Sequence, residues 1–207
     1  MAKLQDIIQW CDQTLKSTEF KDYAPNGLQI EGKTEVRKIL AAVTASQDAI
    51  DAAIRENADL LLVHHGYFWK GEAYPITGMR GKRIKSLIQH DISLLAYHLP
   101  LDSHPSLGNN AAIADLLKLE RIEALDPSER HPIGNIGYLK QPMPVEEFKT
   151  FVCEKLKFDV THLPADKNMI EKVGFCTGGA QDFIVKAAEQ GCDAYISGEV
   201  SERTFYE

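Results

Sequence analysis

Nowhere does this chain of 207 residues approach the run of about 20 apolar residues that crosses a bilayer as a helix. Its N-terminus, MAKLQDIIQWCDQTLKS, breaks every apolar stretch with acidic or polar residues, which excludes the continuous core of a signal peptide. Cysteine is scarce. Cys11, Cys153, Cys176 and Cys192 lie far apart and form no CxxC pair, so neither a zinc ribbon nor a disulfide framework is indicated. Free thiols in a reducing cytoplasm are expected. No phosphate loop, dinucleotide fingerprint, GxSxG elbow or HExxH pair occurs. A basic excess is missing too: 23 Lys and Arg against 30 Asp and Glu leave a formal charge of −7. Such a chain is a poor candidate for wrapping nucleic acid, where basic groups must displace counterions. Small anions remain possible ligands, because they respond to the local field and not to the sum.

What is present is an ordinary globular composition, 44% hydrophobic and 26% charged, long enough for one large domain or two small ones. The opening segment reads as an amphipathic helix with Leu4, Ile7, Ile8, Cys11 and Leu15 on one face. Apolar runs and helical patterns then alternate. Strands are expected at Ile39–Thr44, Asp59–Val63 and Ile92–Tyr97, and helices at Gln47–Glu56, Arg80–His90 and Asn110–Leu117. A loop rich in Gly, Pro and aromatics fills Gly66–Gly78. Strands joined by helices predict right-handed crossovers and a largely parallel sheet covered on both faces. Pro127, Pro132, Pro142 and Pro144 mark a different stretch, with a strand at Ile133–Lys140 and a helix at Val145–Lys157. Residues 125–170 read as a small inserted or second α+β unit. The expected fold class is therefore α/β, in two related halves: a first domain over 1–124 and a second over 125–207.

The relation between the halves rests on a weak internal repeat. Gln47-Asp48-Ala49-Ile50 aligns with Gln181-Asp182-Phe183-Ile184, and at the same offset, without gaps, Ala53 meets Ala187 and Asp59 meets Asp193. Upstream, Thr44-Ala45-Ser46 meets Thr177-Gly178-Gly179-Ala180 with one residue inserted. Two such halves facing each other would place a site between them. The second copy reaches Glu207 without a counterpart of residues 80–102, which reads as C-terminal truncation.

His64 and His65 follow Leu60-Leu61-Leu62-Val63 at the carboxyl end of a parallel strand, where open α/β sheets place ligands. His98 ends the strand Ile92–Tyr97 in the same way, with Asp102 four residues on and His104 beyond it. Imidazoles and a carboxylate suit divalent Zn, Mn, Fe, Co or Ni. For His90, His131 and His162 a surface or hydrogen-bonded core position is the expected reading, and His104 is open between ligand and cap of the helix start at Asn109-Asn110. Gly66-Tyr67-Phe68-Trp69-Lys70-Gly71 is either a lid or stacking wall for a planar base, or a packed loop. Arg80, Lys82, Arg83 and Lys85 could receive phosphate, although a solvated helix face is the favoured reading. Pro25-Asn26-Gly27 marks a turn in which Asn26 or Gly27 takes a left-handed conformation.

Taken in order, Asp22-Tyr23-Ala24-Pro25-Asn26-Gly27-Leu28-Gln29, Val63-His64-His65-Gly66, Tyr97-His98-Leu99-Pro100-Leu101-Asp102 and Gly108-Asn109-Asn110 form a specific set. With Cys176-Thr177-Gly178-Gly179 and Ser197-Gly198-Glu199-Val200, the chain resembles the YbgI-like family, also called GTP cyclohydrolase I type 2 homologues or Nif-three-like proteins. The resemblance spans essentially the whole chain. It implies an α/β protein assembling into a toroidal homohexamer, with His64, His65, His98 and Asp102 as ligands of a two-metal centre. The family completes that centre with a histidine and a glutamate from a later segment, which this sequence does not contain.

The leading expectation is then a metal-dependent hydrolase of the cyclohydrolase type acting on a nucleotide-like small molecule, with two divalent ions per complete subunit. Glu199, which meets His65 in the repeat, is the candidate general base or an outer-shell residue. The alternative is a non-catalytic, metal-containing ring that serves partners as a scaffold or adaptor. A ring threading DNA is disfavoured by the charge of −7.

Overall fold

The computed structural model describes residues 1–207. Its contacts divide the chain into two units, Met1–Leu101 and Asp102–Glu207.

The first unit begins with β1 (Ala2–Lys3), α1 (Leu4–Leu15), β2 (Gly27–Ile30) and β3 (Glu35–Val36). It continues with β4 (Ile39–Thr44), α2 (Gln47–Arg55), β5 (Leu60–His65), α3 (Gly78–Gln89) and β6 (Ser93–Ala96). The main sheet has the order β2-β6-β5-β4, with β4 and β6 parallel to β5 and β2 antiparallel at the edge. β1 and β3 form a separate two-stranded ribbon. Strand alternation distributes the core. Leu61, Val63, Leu94 and Ala96 pack with Ile50, Ala53, Ile84 and Leu87 of α2 and α3. Their neighbours Leu60, Leu95 and Tyr97 pack with Leu4, Cys11 and Leu15 of α1. Both faces of the central strands are thus buried, which is why they read as continuous apolar runs. Ser46 caps α2, its Oγ accepting from the amide of Ala49 at 3.2 Å.

A short helix α4 (Leu99–Asp102) runs across the division. The second unit then has α5 (Asn109–Leu116), β7 (Glu120–Ala124), β8 (Asn135–Pro144), α6 (Val145–Leu156), β9 (Met169–Cys176), α7 (Phe183–Glu189) and β10 (Ala194–Ser197). Its sheet has the order β10-β9-β8-β7, and only β9 and β10 are parallel. The class is α/β, with mixed rather than largely parallel sheets. Parallel pairing is confined to β4-α2-β5, β5-α3-β6 and β9-α7-β10, where a helix carries the chain back to the starting end. Residues 125–170 are not set apart: β8 is an interior strand, and Phe148 and Val152 of α6 pack on Leu139, Val173 and Phe175 of the same core. β7, ahead of residue 125, belongs to this unit because it pairs with β8. No helix is long and apolar enough to cross a membrane.

The internal repeat is visible in the strand register. Ile39, Leu40, Ala41 and Ala42 pair with Leu60, Leu61, Leu62 and Val63. Val173, Gly174, Phe175 and Cys176 pair with Ala194, Tyr195, Ile196 and Ser197. The second set is the first moved by the offset that carries Asp59 onto Asp193, so the strands need no inserted residue upstream. Even the turn after each helix agrees: Asn57 and Gly191 both take positive φ, 53° and 74°.

Candidate metal centre

β5 ends in His64 and His65, whose side chains strand alternation alone would send to opposite faces. Their ring centroids nevertheless lie only 4.4 Å apart. Each ring leans on a different neighbouring strand end. His64 Nδ1 sits 2.9 Å from the carbonyl oxygen of Tyr97, just past β6, and His65 Nδ1 sits 3.1 Å from Oγ1 of Thr44, the last residue of β4. His98 follows Tyr97 and closes the triangle, its ring 5.0 Å from that of His64 and 5.7 Å from that of His65. One ligating atom from each of the three half-buried residues falls within 4.8 Å of the others, so the cluster could hold a metal ion.

Hydrogen bonding sets which nitrogen is presented. A carbonyl oxygen only accepts, so His64 carries its proton on Nδ1 and turns Nε2 outward from that bond. His98 Nδ1 faces a carboxylate oxygen of Asp22 at 2.7 Å. Burial alone would raise the Asp22 carboxyl, but hydrogen bonds from His98, Asn26 and the Leu99 amide outweigh it and hold the group down at about 2. Neutral imidazoles anchored through the far nitrogen are the donors that borderline divalent ions take, and this set fits one. Asp22 opens the first of the sequence motifs and Tyr97 the third, but nothing local in either pairs it with a histidine, and Thr44 belongs to none of them.

An aromatic wall stands beside the cluster. Trp69 lies 5.0 Å from the His98 ring at 81° and 5.9 Å from the His65 ring. Its indole N–H donates to the Gly66 carbonyl at 3.2 Å. The approach to Trp69 is tightly held: the Tyr67 amide donates to Gln29 Oε1 at 2.7 Å and the Tyr67 hydroxyl to the Ala45 carbonyl at 2.7 Å. A Cβ on Gly66 would come within 2.2 Å of that same Gln29 oxygen and 2.7 Å of the Ala96 Cβ, so a larger residue would force its neighbours to shift. Phe68 turns the chain with φ 66°, a conformation rare for a bulky residue. Arg80 then clamps the rest of the loop through Glu72 at 2.7 Å, the Pro75 carbonyl at 2.9 Å and the Ala73 carbonyl. Its guanidinium is committed to the loop and not offered to phosphate.

The other sequence candidates lie in the second unit. Asp102 is 6% exposed, accepts from Asn109 Nδ2 at 2.7 Å and receives the Thr177 hydroxyl at 3.4 Å. Burial, and then the nearby Asp102 charge, pushes the Cys176 thiol up to about 12. Glu199 is exposed, and its carboxylate lies 3.2 Å from where a Cβ on Gly179 would stand. His104 Nδ1 accepts from the amides of Ser106 and Leu107 at 3.3 and 3.0 Å, a turn-stabilising role. In the first unit, Gly27, and not Asn26, takes the left-handed conformation in the Pro-Asn-Gly turn, with φ 98°.

A family model described as Duf34/NIF3 (NGG1p interacting factor 3) matches residues 2–207. The chain belongs to the DUF34/NIF3 family. Within it, a Haemophilus influenzae protein named GTP cyclohydrolase 1 type 2 homolog is 51% identical, covering 97% of this chain and 80% of the relative. An Escherichia coli protein of the same name is 44% identical, covering 99% of this chain and 81% of the relative. The solved structure of a protein called ybgI, described as of unknown function, is similar with a TM-score of 0.93 at 43% identity, over 99% of this chain and 81% of that one. A Thermus thermophilus crystal structure reaches a TM-score of 0.86 at 29% identity over the same shares.

Proposed function

We propose that this DUF34/NIF3 member is a divalent-metal-dependent hydrolase of the cyclohydrolase type, acting on a nucleotide-like substrate. The observation that carries the reading is the convergence of His64, His65 and His98 to within 4.8 Å. A divalent ion held there supplies Lewis acidity toward water and substrate. Asp102 is assigned as a further ligand toward a second ion, and Glu199 as the general base or an outer-shell partner. Trp69 offers a planar base a surface for stacking next to the imidazoles. The relatives named GTP cyclohydrolase 1 type 2 homolog support a purine nucleotide as the first substrate to try. The working form is a cytoplasmic homohexamer, in keeping with four free thiols.

Metal analysis of the purified protein, paired with hydrolysis assays on GTP and related nucleotides under added Zn or Mn, tests this. Wild type should hold divalent ion and turn over a nucleotide, and His64→Ala with His98→Ala should lose both. Retained ion without turnover of any nucleotide would favour the non-catalytic scaffold. Absence of bound ion in wild type would end the metal reading. Light scattering during size-exclusion chromatography checks the hexamer.

A further inference from the structure

Each of the three imidazoles is held through Nδ1. His64 is anchored by a backbone carbonyl and His65 by a hydroxyl, both uncharged. His98 Nδ1 faces a carboxylate, on a segment 76 residues away in the chain. That carboxylate is itself fully engaged. Asp22 Oδ1 takes the His98 ring at 2.7 Å and the Tyr23 amide at 2.6 Å, while Oδ2 takes Asn26 Nδ2 and the Leu99 amide, each at 2.9 Å. Asn26 in turn accepts the His98 amide on Oδ1 at 2.8 Å. Two residues of one turn therefore take up the amide of His98, the amide after it and its ring N–H. The Asp22 side chain is only 3% exposed, so water does not compete for these bonds.

We infer that Asp22 is a positioning residue of the metal centre: with Asn26 it locks His98 in the Nδ1–H tautomer, aims Nε2 into the cluster and strengthens His98 as a donor. The inference rests on the metal reading proposed above. Its physical basis is that a carboxylate accepting the far N–H increases the electron density of the ring and fixes its rotation, and that losing such a partner costs about 10–100-fold in metal affinity.

Two measurements test it on the full chain. Long-range ¹H–¹⁵N spectra of the metal-free protein report the tautomer of His98, and competition with a chromophoric chelator reports Zn²⁺ affinity. Wild-type His98 should show a single Nδ1–H tautomer. Asp22→Ala should lose that uniformity and bind Zn²⁺ about 10–100-fold more weakly, with an unchanged far-ultraviolet circular dichroism spectrum. Asp22→Asn keeps an acceptor without the charge and should fall between. A wild-type His98 protonated on Nε2 would overturn the inference, as would an Asp22→Ala or Asp22→Asn protein with wild-type affinity. Should Asp22→Ala not fold, the wild-type tautomer and the Asn variant still decide. Wild type that binds no Zn²⁺ sinks the metal reading, and the tautomer spectrum then separately judges the positioning role.

Discussion

Asp59 and Asp193, equivalent positions of the internal repeat, make the same contacts in the two units. Asp59 Oδ2 accepts from the amides of Arg37 and Lys38 at 2.9 and 3.2 Å, and Oδ1 meets Lys33 Nζ at 2.9 Å. Asp193 Oδ2 accepts from the amides of Glu171 and Lys172 at 3.2 and 2.9 Å, and Oδ1 meets Lys167 Nζ at 3.0 Å. Lys38 and Lys172 each reach the carbonyl one residue past the following helix, Glu56 and Gln190. Every partner is displaced along the chain by the same interval as the aspartates themselves. A whole hydrogen-bond network is therefore repeated, which a chance match over a few letters would not produce.

Removing either aspartate leaves two strand-entry amides without an acceptor. Asp59→Ala should lower the unfolding free energy by about 2–3 kcal/mol in denaturant titrations, chiefly through those amides. The ion pair adds little, because Lys33 is half exposed. The double variant with Asp193→Ala should be additive within about 0.5 kcal/mol, since the two networks share no partner. A single variant as stable as wild type would deny the clamp.

Acid should act through the same groups. The Lys33 ammonium and then the Arg37 amide hold the Asp59 carboxyl below its ordinary range. For Asp193, burial pushes upward, but the Lys172 amide, Lys167 and the Glu171 amide prevail and lower it. A carboxyl lowered in the folded state contributes stability above its unfolded pKa of about 3.9 and loses it as pH falls through the folded value. The stability gap between wild type and Asp59→Asn should thus be constant near neutrality and shrink below about pH 4. A gap independent of pH would contradict this.

Asn110 is 1% exposed and joins three segments of the second unit. Its amide donates to the carbonyls of Asp102 and Ile133 at 3.3 and 2.5 Å, and its oxygen accepts the Thr177 amide at 2.9 Å. Asn110→Ala should cost about 2–4 kcal/mol in chemical denaturation, because partners stay buried without a bond. Asn110→Asp, which cannot donate, should not rescue it.

Trp69 separates stacking from metal binding. If the substrate carries a planar base, Trp69→Ala should raise KM about 5–150-fold, the range of one base–aromatic stack, with metal content unchanged and Trp69→Phe much milder. Arg80→Ala should show a weaker version of the same effect by loosening the loop from Glu72 and Pro75. An unaltered KM would make the segment a packed loop.

Local sequence was enough to place the longer helices, the central strands and the strand ends where chemistry sits, but not β1, β2, β3, α4 or β7. Continuous apolar runs such as Leu60-Leu61-Leu62-Val63 bury both faces of a strand, so local composition suffices to place them and the histidines that follow. The internal echo was legible for the same reason, since the core and turn positions recur. Tertiary structure decided what pairs with what. β8 and β9 run antiparallel although a helix links them, because register and direction come from long-range packing that no local window contains. It also decided how adjacent His64 and His65 converge, each drawn to a different strand end by Tyr97 and Thr44. Asp22 meets His98 for the same reason: 76 residues separate them, and only the pairing of β2 with β6 brings their segments together.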